Sequence, residues 1–150
     1  MVNIAIIGGA GFIGTFTKKE LQDYGYSVTI IDIKENSDIT VDVKDYNGLK
    51  KALSTKKFDA VYMFAAISDS KENHTDIKHA VNTNIMTLTN TLDVMHELGI
   101  PRIIFSSTVW VYSVCNIIDV NEDTNLSISN SDHIYTTCKL TCEAIIRNYQ

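Results

Sequence analysis

The chain has 150 residues, of which 45% are hydrophobic and 21% are charged, and its 13 Lys and Arg against 18 Asp and Glu leave a formal net charge of -5. This composition excludes a disordered chain and a membrane span, because apolar residues are plentiful yet no run of them approaches the ~20 residues that cross a bilayer. The acidic balance argues against nucleic acid as a partner, since phosphates attract basic surfaces. We therefore expect one domain and, with no export signal before Asn3, a cytoplasmic location.

Apolar runs and helical periodicity alternate along the chain. Strands are predicted over residues 3–7, 27–33, 39–43, 59–66 and 102–107, and helices over 12–24, 46–53, 77–98 and 135–149. The first helix places Phe12, Ile13, Phe16 and Leu21 on one apolar side. Because strands that alternate with helices are joined by right-handed crossovers, the pattern predicts an α/β fold, a doubly wound parallel sheet of about five strands with helices on both faces.

One long stretch, from Ser113 to Ile134, shows neither pattern. A loop of that length in a compact domain is more often functional than idle. It carries the carboxylates of Asp119, Glu122, Asp123 and Asp132, and no Lys or Arg occurs between Arg102 and Lys139. This part of the chain therefore lacks the cations that would neutralise a diphosphate.

The three cysteines, Cys115, Cys138 and Cys142, form no C-x-x-C pair. Cys138 and Cys142 would share one face of a helix, and with His133 nearby they could contribute to a metal site. The spacings of known zinc sites are missing, so we interpret the cysteines as small half-buried thiols and predict neither a metal site nor a disulfide framework.

A cluster of glycines follows the first predicted strand and opens the first predicted helix. Gly9, Gly11 and Gly14 form G-x-G-x-x-G, and Gly8 extends the pattern. Such glycines permit a tight turn, close approach of backbone N–H groups to a pyrophosphate, and close packing of helix on strand. An ordinary turn between strand and helix is the alternative, but Asp32 ends the second strand 18 residues beyond Gly14, where a ribose-binding acid belongs.

The pattern therefore predicts a dinucleotide site. The carboxylate of Asp32 can accept hydrogen bonds from the adenosine ribose hydroxyls and would repel a 2′-phosphate, which favours NAD over NADP. Lys34 lies two residues further on and keeps NADP open.

With these residues in place, the chain resembles the N-terminal half of the extended short-chain dehydrogenases/reductases, the NAD-dependent sugar epimerase/dehydratase family. The likeness runs from Asn3 to about Ile146 and includes residues 7–14, Asp32, Phe-Ser-Ser-Thr at 105–108, Val-Tyr at 111–112 and Tyr135-x-x-x-Lys139. The resemblance implies that residues 1–150 form an NAD-binding Rossmann-like domain. The implied cofactor contacts are Gly8, Gly11, Phe12, Ile13, Gly14, Asp32, Ile33, Lys34, Asp42, Val43, Ala65, Ala66, Asn84, Ser106, Tyr135 and Lys139.

The Tyr-x-x-x-Lys motif occurs twice, as Tyr46 with Lys50 and as Tyr135 with Lys139. Position distinguishes the two, because active sites of open parallel sheets lie beyond the carboxyl ends of the strands and only Tyr135 follows the fifth strand. We interpret Tyr46 as a tyrosine on the face of a helix.

The resemblance implies a catalytic trio of Thr108, Tyr135 and Lys139. Hydride transfer to or from an alcohol needs a group that moves a proton on and off the oxygen. A phenol with its ordinary pKa of ~10 is a weak base, and both Lys139 and the positive charge of NAD⁺ would lower that pKa. Thr108 would orient the substrate oxygen, or, as the alternative, its hydroxyl only satisfies backbone at a strand end.

Sugar dehydratases of the family carry Thr-Asp-Glu where this chain has Thr108-Val109-Trp110. The missing acids disfavour a dehydratase and leave an epimerase, a reductase or a dehydrogenase. The resemblance implies a small-molecule substrate for it, a nucleotide sugar. Family members run about twice this length, so we expect a chain without the C-terminal substrate domain. A truncated, non-catalytic NAD-binding module is the alternative. The resemblance also implies a homodimer through the helices around 84–98 and 135–149.

Overall fold

The computed structural model describes residues 1–68, 75–112, 119–124 and 133–149. By their contacts these residues form two compact units. The first contains residues 1–66 and 86–106, and the second contains residues 67–85 together with the described part of 107–150. None of the helices in the described ranges combines the length and the apolar character that a membrane crossing needs.

The first unit is built on a five-stranded parallel sheet. Its strands are β1 (Asn3–Ile7), β2 (Ser27–Asp32), β3 (Ile39–Thr40), β4 (Ala60–Met63) and β5 (Ile103–Phe105), in the order β3-β2-β1-β4-β5. Three helices belong to this unit: α1 (Phe12–Asp23), α2 (Tyr46–Leu53) and α4 (Thr87–Leu98). The change of direction between β1 and β4 is the topological switch point at which open parallel sheets bind ligands.

The second unit is mainly helical. It contains α3 (Ile77–Val81), a 3₁₀ helix (Val109–Tyr112), α5 (Ile134–Asn148) and most of a π-helical turn (Asn82–Met86). The turn leads from α3 into α4, so the helix predicted over 77–98 exists but contains one widened turn. Periodicity alone does not predict such a turn, and π turns are frequent at functional sites.

The core of the first unit is apolar and lies on both faces of the sheet. β1 and β2 are buried along most of their length, as strands covered on both sides must be. Fully buried side chains include Ile6, Ile7, Ile31, Leu49, Leu53, Phe58, Val61, Met63, Leu88 and Val94.

Several strands are shorter than the sequence predicts. β4 ends at Met63 instead of residue 66 because the N–H groups of Phe64 and Ala65 both donate to the Ile7 carbonyl, at 2.8 and 3.1 Å, and the chain leaves the ladder there. β3 keeps two of the five predicted residues, β2 ends at Asp32, and β5 keeps three of the six predicted residues. The predicted boundaries of β1 and α2 are confirmed.

The predicted apolar side of α1 is partly buried only at Leu21, which packs against the core of Ile4, Ile6 and Ile30. Phe12, Ile13 and Phe16 are 82%, 56% and 61% exposed, whereas Gly14 is the buried residue of this helix. The close contact of this helix with the glycine turn is made by Gly14 on Gly9, and the larger apolar side chains of the first turns are exposed.

Candidate functional site

The glycine turn of the first unit has a backbone that only glycine accommodates at position 8. Gly8 has a φ of +79°, and a Cβ there would lie 2.4 Å from the Ala65 nitrogen. The end of β4 thus passes directly over the turn, and any side chain at residue 8 would push it away.

The first residues of α1 pack equally closely on the glycine turn. A Cβ on Gly14 would lie 2.4 Å from the Gly9 Cα. Gly11 is the N-cap of α1 and provides no side-chain cap, so the first N–H groups of the helix have no protein side chain as acceptor there. A helix N-terminus of this kind, approached over bare glycine backbone, fits the pyrophosphate of a dinucleotide.

Asp32 connects the end of β2 to this turn. The side chain is 9% exposed, its Oδ2 accepts a hydrogen bond from the Ala10 N–H at 3.0 Å, and its Oδ1 accepts one from the Lys34 N–H at 3.2 Å. A carboxylate has about four acceptor sites, so about two remain for a ligand. That number matches the two hydroxyls of an adenosine ribose.

Lys34 contacts the same turn from the other side. Its ammonium group donates to the Ala10 carbonyl at 3.2 Å, so Asp32 and Lys34 together bind both polar groups of the Ala10 backbone. Ile33, between them, is 68% exposed. The sequence indicates both charged residues, but the bond from Lys34 to the turn becomes visible only in the structure.

The other predicted cofactor contacts of this unit lie at or after strand ends. The Asp42 carboxylate accepts from the Lys44 N–H at 2.9 Å, and the Asn90 amide donates to the carbonyls of Val43 and Lys44 at 3.1 Å each. Ala66 is half-buried. The Ser106 hydroxyl donates to the Met63 carbonyl at 3.3 Å, which joins the ends of β4 and β5.

The second unit holds the residues predicted to react. Asn84 is 4% exposed within the π-helical turn, where its Oδ1 accepts from the Ile67 N–H at 2.8 Å and its Nδ2 donates to the Ile67 carbonyl at 3.2 Å. Its own carbonyl accepts a hydrogen bond from the Cys142 thiol at 3.4 Å. Asn84 therefore joins three segments of this unit.

Tyr135 and Lys139 lie one turn apart on α5. The Lys139 Nζ is 5.6 Å from the centre of the Tyr135 ring, within the range of a cation–π contact, and Lys139 is only 2% exposed. Burial lowers the pKa of Lys139 to about 8, and burial also raises the pKa of the Tyr135 phenol. Burial thus shifts the Tyr135 pKa in the direction opposite to the lowering that the sequence predicts from Lys139 and NAD⁺.

Thr108 directly precedes the 3₁₀ helix. Its Oγ1 accepts from the Trp110 N–H at 3.3 Å, and its carbonyl accepts from the Val111 N–H at 3.2 Å. The hydroxyl does satisfy backbone, as the alternative interpretation states. It does so as an acceptor, so this bond does not use its hydrogen, which is the part that would contact a substrate oxygen.

One neighbouring contact is not predicted from the sequence. The Ser107 hydroxyl donates to the carboxylate of Glu143 on α5. Glu143 follows Lys139 by four residues, as Lys139 follows Tyr135, so extending the helical spacing by one more step would have found it.

The thiols of α5 are buried and protonated. Cys138 and Cys142 are 1% and 0% exposed, and burial raises the pKa of Cys142 to about 11. Among the described residues no group of His, Cys, Asp and Glu is arranged to hold a metal ion. Cys115, like Asp132 and most of the predicted loop, lies outside the described residues.

The second Tyr-x-x-x-Lys motif connects two helices of the first unit. The Tyr46 hydroxyl donates to Glu97 at 2.6 Å, and the Lys50 Nζ lies 2.7 Å from the other oxygen of that carboxylate. The bond to Glu97 raises the pKa of Tyr46 to about 12, which makes this phenol a poorer base. Its position between α2 and α4 agrees with the interpretation of Tyr46 as a helix-face residue.

The glycine turn with Asp32 and the Tyr135-Lys139 pair, of which the lysine is buried, are features shared with known proteins. The sequence profile of the NAD dependent epimerase/dehydratase family matches residues 4–150. The chain belongs to this family. The resemblance and the fold class drawn from the sequence are confirmed, and the expected cofactor agrees with a family that depends on NAD.

Individual relatives are similar along almost the whole chain. UDP-glucose 4-epimerase 2 of Arabidopsis thaliana is 30% identical, over 97% of this chain and 47% of its own length. A UDP-glucose 4-epimerase from Bifidobacterium longum, crystallised in complex with NAD⁺ and UDP, is 27% identical with a TM-score of 0.90, over 98% of this chain and 48% of its own. The epimerase from Brucella ovis in complex with NAD is 25% identical with a TM-score of 0.91, over 99% of this chain and 48% of its own. The chain thus spans about half the length of these relatives.

Proposed function

We propose that the chain binds NAD at the glycine turn and serves the 4-epimerisation of a nucleotide sugar, UDP-glucose or a close analogue, with Tyr135 as acid and base. The observation that carries the proposal is the Lys139 ammonium buried against the Tyr135 ring, in a chain whose glycine turn is bound to Asp32.

The residues present fit the dinucleotide. Gly8, Gly11 and Gly14 leave bare backbone at the start of α1 for the pyrophosphate, and Asp32 retains acceptor sites for the ribose. The proposed contacts further along the cofactor are Phe12, Ile13, Ile33, Lys34, Asp42, Val43, Ala65, Ala66, Asn84, Ser106, Tyr135 and Lys139.

NAD, when bound, supplies the acceptor and donor of a hydride. Tyr135 would take the proton of a sugar hydroxyl as the hydride leaves the adjacent carbon, and would return the proton to the same oxygen when the hydride comes back. A pKa of about 8 leaves Lys139 mostly protonated at pH 7, so a positive charge lies beside the phenol and favours its ionised form. Thr108 would donate its hydroxyl hydrogen to the substrate oxygen and hold it against Tyr135.

Two observations support epimerisation over the other reactions of the family. Val109 and Trp110 follow Thr108 where dehydratases carry an acid pair, and the relatives named above are UDP-glucose 4-epimerases. Because these relatives are about twice as long as this chain, we propose that residues 1–150 act as the NAD-binding half and that contacts to the nucleotide of the sugar belong to the unmatched half. A homodimer through the helices around 84–98 and 135–149 is part of the same proposal.

The experiment is conversion of UDP-glucose to its 4-epimer, followed by proton NMR of the anomeric hydrogen with the chain and NAD⁺. Appearance of the epimer supports the proposal. Binding of NAD⁺ without conversion would contradict catalysis by residues 1–150 themselves and favour the alternative, a non-catalytic NAD-binding module. Light scattering at tens of micromolar tests the dimer, and a monomer would count against it.

A further inference from the structure

Three ionisable side chains of α5 lie at intervals of four residues. Tyr135, Lys139 and Glu143 therefore share one face of the helix, with Glu143 two turns beyond Tyr135. The function proposed above uses the first two and leaves Glu143 unexplained. Its carboxylate accepts a hydrogen bond from the Ser107 hydroxyl, and Ser107 directly precedes Thr108.

The segment that carries Thr108 has little structure of its own. It continues as a 3₁₀ helix of four residues, in which Val111 is buried while Val109 and Trp110 are 72% and 62% exposed. Such short helices have poor hydrogen-bond geometry and depend on contacts outside themselves. Val111 supplies one apolar contact, and the bond from Ser107 to Glu143 supplies a polar one at the other end of the segment.

We propose that Glu143 is a positioning residue, which anchors residues 107–112 to α5 and so fixes the Thr108 hydroxyl relative to the Tyr135 phenol. This inference rests on the proposed function for its catalytic meaning, but the anchor itself does not. The helix acts as a rigid spacer, because eight residues at ~1.5 Å each separate Glu143 from Tyr135 by about 12 Å. Ser107 and Thr108 are adjacent, so holding the first restricts the second to within one peptide unit, about 3.8 Å.

The chemistry of the bond makes a graded test available. A hydroxyl that donates to a carboxylate forms a charge-assisted bond, which is roughly twice as strong as a neutral one. Glu143→Gln keeps an oxygen of the same reach but loses the charge, whereas Glu143→Ala and Ser107→Ala remove the bond. A surface contact without a positioning role would not produce a larger effect in the alanine variants than in Glu143→Gln.

Trp110 is the only tryptophan of the chain and lies within the anchored segment, so its fluorescence anisotropy decay reports the motion of that segment. We expect the amplitude of fast depolarisation to be smallest in the wild type, intermediate in Glu143→Gln, and about twofold larger in both alanine variants. The double variant Ser107→Ala/Glu143→Ala should equal either single one, since both remove the same bond.

Two control variants make the same kinds of substitution in the first unit, away from residues 107–112 and α5. Glu20→Gln removes an exposed charge from α1, and Ser54→Ala removes an exposed serine hydrogen bond to the Lys50 carbonyl. Neither should change the Trp110 decay. Equal decays in the wild type and all the Ser107 and Glu143 variants would overturn the anchor.

The second readout is turnover of UDP-glucose. The alanine variants should lower kcat about tenfold and leave KM and NAD⁺ affinity within about twofold, because a misplaced group costs rate more than binding, and Glu143→Gln should restore most of the loss. Unchanged kcat in variants with a loosened segment would overturn the positioning role. A wild type that binds NAD⁺ without turnover would contradict the proposed function, while the order of the Trp110 decays would still support or overturn the anchor.

Discussion

The Lys139 ammonium nitrogen lies 5.6 Å from the centre of the Tyr135 ring, and both residues are carried by one rigid helix. Replacement of Tyr135 by Phe keeps the ring that Lys139 contacts and removes only the hydroxyl. We therefore expect Tyr135→Phe to lower epimerisation by at least about a hundredfold, the scale of general acid–base catalysis, with NAD⁺ affinity nearly unchanged. Turnover and calorimetric titration measure the two effects.

The chain provides its own control for this prediction. Tyr46→Phe breaks the bond to Glu97 in the other Tyr-x-x-x-Lys motif and should leave turnover unchanged. A loss of activity in Tyr46→Phe that equals the loss in Tyr135→Phe would show that the motif after the fifth strand has no special role.

Burial of Lys139 predicts a pH dependence of stability. Its pKa falls from an ordinary 10.5 to about 8 in the fold, so between these values the unfolded chain binds more protons than the folded one. The free energy of unfolding should then rise with pH from about 8 to 10.5 on account of this group. Lys139→Met removes the cost of the buried charge and should stabilise the chain at pH 7 by up to roughly 3 kcal/mol.

Urea unfolding of the wild type and Lys139→Met at pH 7, 8, 9 and 10 measures this difference. The other titrating groups are common to both chains and cancel, apart from Cys138 and Cys142, whose pKa values Lys139 itself lowers. An advantage of Lys139→Met that stays constant across this range would contradict a lowered pKa at Lys139.

Gly8 is required both for its positive φ and for the space that a Cβ would fill, and a comparison with Gly25 separates these two effects. Gly8 and Gly25 both have positive φ, +79° and +83°, but only at Gly8 does an added Cβ meet other atoms, whereas at Gly25 nothing lies within 4 Å. Gly25→Ala should cost about 1–2 kcal/mol for the backbone conformation alone. Gly8→Ala should cost clearly more, because the end of β4 must also move, and equal midpoints in urea would refute the steric part.

Asp32 and Lys34 should together set the choice of dinucleotide. Asp32→Asn removes the charge that repels a 2′-phosphate while Lys34 remains beside the turn. We expect NAD⁺ affinity to fall and NADP⁺ affinity to rise by about tenfold, and Lys34→Met in the same chain to cancel the gain for NADP⁺. Asp23→Asn, on the exposed surface of α1, is the control. A preference that stays the same in Asp32→Asn would show that other residues choose the cofactor.

The sequence predicts the parts of this fold that local pattern determines. β1, with a continuous apolar run, and α2, with its amphipathic spacing, have the predicted boundaries. The glycine turn and Asp32 are recognisable because their spacing reflects a backbone requirement, which the clash at Gly8 with Ala65 shows directly.

What the sequence could not predict depends on contacts between distant segments. Gly14 packs on Gly9, so the exposed side of α1 carries phenylalanines that periodicity assigns to the core. The widened turn at Asn84 accompanies side-chain bonds to Ile67, and the contact of Ser107 with Glu143 joins residues 36 positions apart. No local pattern encodes these pairings.

The central claim, that this chain binds NAD over the bare backbone of its glycine turn, is tested most directly by calorimetric titration of NAD⁺ into the wild type and Gly11→Ala. A Cβ on Gly11 meets only the Gly8 carbonyl, at 3.3 Å, so this variant should stay folded while its methyl group occupies the approach of the pyrophosphate. We expect one NAD⁺ to bind per chain, and its affinity to fall by at least about tenfold, the free-energy equivalent of ~1.4 kcal/mol, in Gly11→Ala. A folded wild type that releases no heat with NAD⁺, or equal affinity in the two chains, would contradict it.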